Sequence, residues 1–306
     1  MATAIAAAGG PPCRLVIIKT SGDRLQEAPL SEIGGKRLFV KEIEDALLRN
    51  EIDIAVHSSK DMPAVLPDGL TIGAVLPRED PHDAVVLQAR GPATLDGLAA
   101  RLGGAPSIGT GSVRRIAQLT RVFPGARFSP IRGNLDTRLR KLDNGDYDAL
   151  VLAAAGLRRL GFADRIATTL PLSACVPAPG QGIVAIEIRD GDAGVHGVVA
   201  RVHDQDAGVA LEAERAVVQG LGGGCQTPIG ALAIPIDDGQ LEVVGAVVAL
   251  DGSRLIRTTL RGARAEAAAI GARVAAALLA QGAAEILGPV HAPSADEARS
   301  AALSDE

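Results

Sequence analysis

The chain has 306 residues, 47% of them hydrophobic and 22% charged, with a formal net charge of −5. This length suggests two or three domains, and the acidic balance excludes a general nucleic-acid binder. Aromatics at 2% leave no stacking platform for single strands, and three scattered cysteines (Cys13, Cys175, Cys225) form neither a disulfide framework nor a metal pattern. No run of about eighteen apolar residues exists for a membrane span. "MATAIAAAGGPP" has no basic n-region or long apolar h-region of a secretory signal, so a reduced, cytoplasmic protein without a metal is expected.

In chain order, "RLVIIKT" (14–20) is a short β-branched apolar run and predicts a strand. "KEIEDALLRNE" has helical spacing, and "IDIAVHSSKD" runs from a buried strand into a polar loop. "APSIGTGS" reads as a strand and a glycine-rich turn, "VRRIAQLTRVF" as a helix, and "RFSPIRG" as a strand. "NLDTRLRKLDNG" is a helix stopped by Asn-Gly, and "YDALVLAAAG" is another buried strand. "ALLRNEIDIAVHSS" and "RKLDNGDYDALVLAAA" share the order helix end, polar turn, apolar strand, small-residue loop, which hints at two similarly built lobes. After Asp204 the pattern changes. A helix, "VALEAERAVVQGL", leads into the loop "GLGGGCQTPIG"; a three-stranded meander with Asp-Gly turns follows, then one long alanine-rich helix and a polar tail expected to fray.

The chemistry-bearing residues collect where strands end. In "HSSKDMP", Lys60 and Asp61 follow the strand residues Ile54–Val56 and emerge at its C-terminal end, where open α/β sheets form ligand crevices. A solvated turn is the alternative there, and His57 reads as a structural histidine. In "GTGSVRR", Ser112 is placed to cap a helix, and the Thr110 hydroxyl, Arg114 and Arg115 converge on one point suited to a carboxylate or phosphate. It lacks the Gly-Lys-Ser/Thr of a nucleotide-binding P-loop. Arg132 and Arg138 in "IRGNLDTRLRK", and Arg158 and Arg159 in "GLRRLG", repeat the strand-to-helix arrangement. Three such junctions suit a ligand with several carboxylates, since a planar guanidinium grips each one bidentately. Cys225 sits in an open glycine loop, which gives a thiol access, the first requirement of a reactive or modified cysteine.

The motifs "GGKRLFVKEIEDALL", "DIAVHSSKDMP", "IGTGSVRR", "RGNLDTRLRKLDNGDYDALVLAAAGLRRLG", "PAPGQGIVAIE" and "GGGCQTPIG" occur in the order seen in the porphobilinogen deaminase (hydroxymethylbilane synthase) family, and the chain resembles that family from about Leu15 to the C-terminal helix. The resemblance implies an α/β protein with two lobes like type II periplasmic binding proteins and a C-terminal α+β domain with a three-stranded sheet. The implied boundaries are 1–76 with 182–202 for lobe one, 80–178 for lobe two and 204–306 for the third domain.

By the same resemblance, Cys225 carries a dipyrromethane cofactor through a thioether, and Asp61 is the catalytic carboxylate. Ser58, Lys60, Thr110, Ser112, Arg114 and Arg115 hold the cofactor. Arg132, Arg138, Arg159 and Gln181 serve the substrate, porphobilinogen, and the growing polypyrrole, with Lys36 and Phe39 at the end of a loop over the cleft. The implied activity is head-to-tail polymerisation of four porphobilinogen units in haem biosynthesis, by a monomer that touches neither membrane nor nucleic acid. One departure stands out. The family's opening strand, with its arginine and serine, has no counterpart before "MATAIAAAGG", so the first strand of lobe one is expected to be missing. An inactive remnant that only binds a small anion in the cleft is the alternative reading.

Overall fold

The computed structural model describes residues 1–20, 40–88, 91–224, 227–236 and 239–291. Lys36, Phe39, Cys225 and the polar tail lie outside the described residues. The strands are β1 (Ala55–Ser58), β2 (Leu70–Val75), β3 (Asp83–Leu87), β4 (Ser107–Gly109), β5 (Arg127–Ser129), β6 (Ala149–Ala153), β7 (Ile166–Thr169), β8 (Val184–Arg189), β9 (Ile229–Ile236), β10 (Gln240–Val248) and β11 (Leu255–Ala263). They make three sheets, ordered β1-β8-β2, β5-β4-β6-β3-β7 and β11-β10-β9. The chain is thus mixed α/β and closes on a three-stranded antiparallel sheet, the meander read from its Asp-Gly turns.

The first sheet is wholly antiparallel. Its edge strand β1 alternates buried and exposed residues, so Ala55 and His57 face inward while Val56 and Ser58 face out. In the second sheet β3 is buried at every position, as a strand covered on both faces must be. There β4 runs parallel to β5 and β6, whereas β3 runs antiparallel to β6 and β7. The C-terminal ends of β4, β5 and β6 therefore share one edge with the N-terminal end of β3, where Asp83 pairs with Ala153. This edge carries the candidate site.

The chain crosses from β2 to β3 and returns from β7 to β8, and the crossings lie side by side: Leu76 N–H donates to Val184 O (2.9 Å) and Glu79 N–H to Gly182 O (3.0 Å). Gly182 has φ +88° and a Cβ there would overlap the Glu79 carbonyl, so only glycine allows this approach. The helix Gln205–Gly220, capped by Asp204 through Ala207 N–H at 2.8 Å, packs Ala207 and Leu211 against Val75, Ile183 and Ala185 of the first sheet. Its other buried residues, Ala213 and Val217 among them, join the core of the third sheet.

Two expectations fail. Residues 14–20 form no strand: among the described residues this segment has no ladder partner, and Leu15 and Ile17 are 87% and 82% exposed. A β-branched run becomes a strand only when a neighbour takes its backbone groups. The expected single C-terminal helix is two, Ala267–Ala280 and Ala283–His291, because Gly282 at φ +93° ends the first in the left-handed conformation that favours glycine.

Candidate active site

The turn Ser59–Asp61 is a short 3-10 helix that continues β1 directly. β1 is held to β8 by a buried pair, His57 Nε2 and Glu187 Oε2 at 2.9 Å. His57 is therefore structural, as read. Ser59 is buried by the return crossing, its N–H donating to Ile183 O at 3.0 Å, while its Oγ has no hydrogen-bond partner. Lys60 is half-buried and makes no hydrogen bond or ion pair with another described residue; Asp61 is exposed. Burial pushes the Lys60 ammonium below the usual lysine range; Asp61 opposes the shift and Arg115 adds to it.

Across from this turn, β4 ends in the glycine-rich turn and Ser112 Oγ accepts the Arg115 N–H at 3.4 Å, the expected helix cap on Val113–Leu119. Thr110 is buried, with its Oγ1 accepting from Ser112 N–H at 3.4 Å. Arg114 and Arg115 close on Asp83. Arg114 Nη1 and Nη2 donate to its two carboxylate oxygens at 2.6 and 3.2 Å, and Arg115 Nε donates to Oδ1 at 2.9 Å. Arg114 Nη1 also reaches Val176 O at 2.8 Å, and Arg115 Nη1 reaches Val151 O at 3.0 Å. Gln181, with no exposure, donates from Nε2 to Pro81 O (2.6 Å) and Asp83 Oδ1 (2.9 Å). Burial alone would raise the Asp83 carboxyl, but the two guanidinium groups outweigh it and hold it far below the usual carboxylate range. Cys175, whose thiol lies 3.3 Å from Asp83 Oδ2, is pushed by burial, with Asp83 adding, up to about 12 and is an inert thiol.

At the next junction Asn134 caps the helix Leu135–Asp143, and Arg138 Nε donates to Gly133 O at 2.8 Å. Burial lowers the Arg138 guanidinium, Arg115 adds to this and Asp61 opposes it. The return crossing joins the two sides: Ser59 N–H donates to Ile183 O, and Gln181, two positions earlier, donates to Asp83 and accepts from Arg115. Arg132 is half-buried at the end of β5, and Ser58 is exposed at the end of β1. The third junction differs. Arg158 pairs with Asp80 at 3.2 Å, and Arg159 Nη2 donates to Gly182 O at 2.8 Å and Pro77 O at 3.5 Å, which places Arg159 on both crossings.

Sequence reading missed Asp83, and it missed Arg78 with Glu214. Arg78 Nη1 donates to Glu214 Oε1 at 2.6 Å and its Nε to Gln181 O at 3.0 Å, and Glu214 also accepts from Gly180 N–H (2.6 Å) and Ala233 N–H (2.8 Å). This buried pair ties the crossings to the third sheet. The available signal was an acid opening an otherwise apolar run, "DAVVL". The groove lined by Val75, His203, Leu211, Glu212, Arg215 and Gln219 contains none of the candidate residues.

Among the described residues, no group of three or more His, Cys, Asp or Glu side chains forms a metal site, and no helix is long and apolar enough to cross a membrane. The groups gathered here are mostly cationic: Lys60, Arg114, Arg115 and Arg138 beside Asp61 and Asp83.

Comparison with known proteins gives this chemistry a context. The sequence matches a family described as porphobilinogen deaminase, dipyromethane cofactor binding domain, over residues 1–197, and the corresponding C-terminal domain over residues 209–280. It is 45% identical over 278 residues to the porphobilinogen deaminase of Syntrophobacter fumaroxidans, covering 90% of this chain and 87% of that one. It is 47% identical over 274 residues to that of Syntrophotalea carbinolica, covering 89% and 84%. Among solved structures, an ancestral cationic amino acid solute binding protein is similar at 15% identity and a TM-score of 0.38, covering 66% of this chain and 75% of that one.

Proposed function

The chain belongs to the porphobilinogen deaminase family, transferases of tetrapyrrole and haem biosynthesis, and from that premise we propose that it joins four porphobilinogen units head to tail, releasing ammonia, to give the linear tetrapyrrole hydroxymethylbilane. The dipyrromethane of this family brings two acetates and two propionates. The residues present fit it: Lys60 makes no ion pair among the described residues, and Arg114, Arg115 and Arg138 stand at the strand-to-helix junctions after β4 and β5. In this reading Lys60 and Arg115, with Arg114, Ser58, Thr110 and Ser112 around them, hold that group on Cys225. Arg132 and Arg138 take the carboxylates of the incoming ring. Lys36, Phe39 and Gln181 belong to the same substrate set, and Arg159 acts during elongation from its place on the crossings.

When bound, the dipyrromethane supplies the free pyrrole carbon from which the product chain is built. Asp61 does the electrostatic work. As porphobilinogen loses ammonia, its ring becomes an azafulvene-like cation, and a carboxylate beside the ring nitrogen stabilises that charge. At ~4 Å and an effective dielectric near 20 such a pair is worth on the order of 4 kcal/mol, about a thousandfold in rate. The arginines orient the ring by its acetate and propionate, so the charge develops where Asp61 stands.

The same reading divides the chain into lobe one (1–76 with 182–202), lobe two (80–178) and a C-terminal unit (204–306), working as a cytoplasmic monomer. The observation that supports it is the return crossing, which bonds the Lys60–Asp61 turn through Ser59 N–H to Ile183 O and the Asp83–Arg115 cluster through Gln181. The test is the intact mass of the purified, denatured chain. The reading expects an excess equal to two pyrrole units, absent in Cys225→Ser together with porphobilinogen consumption. An unmodified wild-type chain that leaves porphobilinogen untouched would overturn it.

A further inference from the structure

The proposed reading leaves one fully buried carboxylate without a task. Asp83 opens β3 at the edge where β4, β5 and β6 end, and this strand order brings the two guanidinium groups of the helix after β4 onto it from 31 and 32 positions away. We infer that Asp83 is a positioning residue, whose carboxylate fixes the orientation of the Arg115 guanidinium and so sets how firmly the chain holds the carboxylates of its dipyrromethane. This rests on the reading above, in which Arg115 meets a carboxylate of the ligand set.

The two arginines are not equivalent. Arg114 is anchored on the segment of Cys175 and Val176. Besides its two bonds to Asp83, it donates to Val176 O at 2.8 Å and lies 3.3 Å from the Cys175 sulfur, while its Nε is buried without a partner. Arg115 is the one tied to Gln181, and through it to the crossings. Its Nε and Nη2 are held by Asp83 Oδ1 at 2.9 and 2.8 Å, its Nη1 by Val151 O, and its Nη2 again by Gln181 Oε1 at 3.4 Å. Four contacts on a planar, rigid fork leave it a single orientation. A ligand carboxylate then meets a guanidinium that needs no reordering, which is how preorganisation raises affinity. Without the Asp83 charge, two adjacent guanidinium groups repel, and Arg115 loses two of the contacts that aim it. Gln181 carries the clamp further, because its backbone carbonyl accepts from Arg78 and so joins Asp83 to the crossings.

A merely structural ion pair would lower stability and the yield of folded protein but leave the folded chains fully loaded. Positioning gives a different result. The intact mass of purified, folded Asp83→Asn should show the two-pyrrole excess on a fraction of chains about tenfold smaller than in wild type. Asp83→Glu keeps the charge and displaces it by one methylene, so it should recover part of that loss. Should Asp83→Asn fail to fold, Asp83→Glu alone still reads the effect as a smaller loss of loading. A loaded wild type with equally loaded folded variants overturns this inference alone. Wild type that carries no mass excess overturns the functional reading, and this inference with it.

Discussion

The two sides of the candidate site are built on opposite plans. On the second-sheet side, every polar atom of the Asp83 carboxylate is engaged, and Arg114, Arg115, Gln181 and Cys175 interlock around it with almost no solvent exposure. On the first-sheet side, the Ser59–Asp61 turn is nearly bare: the Ser59 hydroxyl is buried without a partner, Lys60 has no ion pair among the described residues, and Asp61 is exposed. One side is held rigidly by its internal bonds, and the other carries Lys60 and Asp61 with no ion pair among the described residues. Binding groups that must hold an anion through many cycles gain from rigidity. A carboxylate that answers a transient cation has to keep its lone pairs available.

That contrast can be broken most severely at Asp61. Asp61→Asn keeps size and hydrogen bonding but removes the charge, and kcat for porphobilinogen consumption should fall about a thousandfold. The fold should not change, since no described residue pairs with that carboxylate; equal urea midpoints for variant and wild type would confirm this. Retention of near-normal kcat would remove Asp61 from the chemistry.

A second break lies behind the rigid side. Glu214→Gln strips the charge from a fully buried carboxylate that pairs with Arg78, leaving that guanidinium, itself 14% exposed, uncompensated. Breaking such a pair costs about 3–5 kcal/mol, measurable as a lowered urea midpoint with the slope unchanged. A shift below about 1 kcal/mol would show that the crossings are held by packing alone. The smallest effect, and the one that sharpens the comparison, is Ser59→Ala. Deleting an unpartnered buried hydroxyl should leave stability unchanged or raise it by up to about 1 kcal/mol. A clear loss of stability would mean that the hydroxyl is satisfied in solution and the turn is less bare than described.

Much of the fold was legible because its signals are local. The apolar run Ala149–Ala153, the Asn144–Gly145 stop and the Ser112 cap lie within a few residues of the elements they define, and each forms where expected. The arginines at the ends of β4 and β5 were legible for the same reason, as cations at strand-to-helix junctions. Residues 14–20 failed because propensity states what a segment can be and not whether a neighbouring strand is there to pair with it. Arg159 was placed in the right kind of junction, but the carbonyls its Nη2 meets, Pro77 and Gly182, belong to the crossings and have no local signal.

By itself the sequence determined the alternation of elements, the family, and the kinds of group available: a Lys-Asp turn, paired arginines, a cysteine among glycines. Tertiary structure alone decided which of these groups meet. Asp83 gives no sign in one dimension of the two arginines that will surround it, and Glu214 lies 136 positions from Arg78. The physical reason is one of range. Helix caps, turns and periodicity act over a few residues, whereas burial and ion pairing depend on distance in space. That distance is fixed here by the parallel order of β4, β5 and β6, with β3 antiparallel beside them.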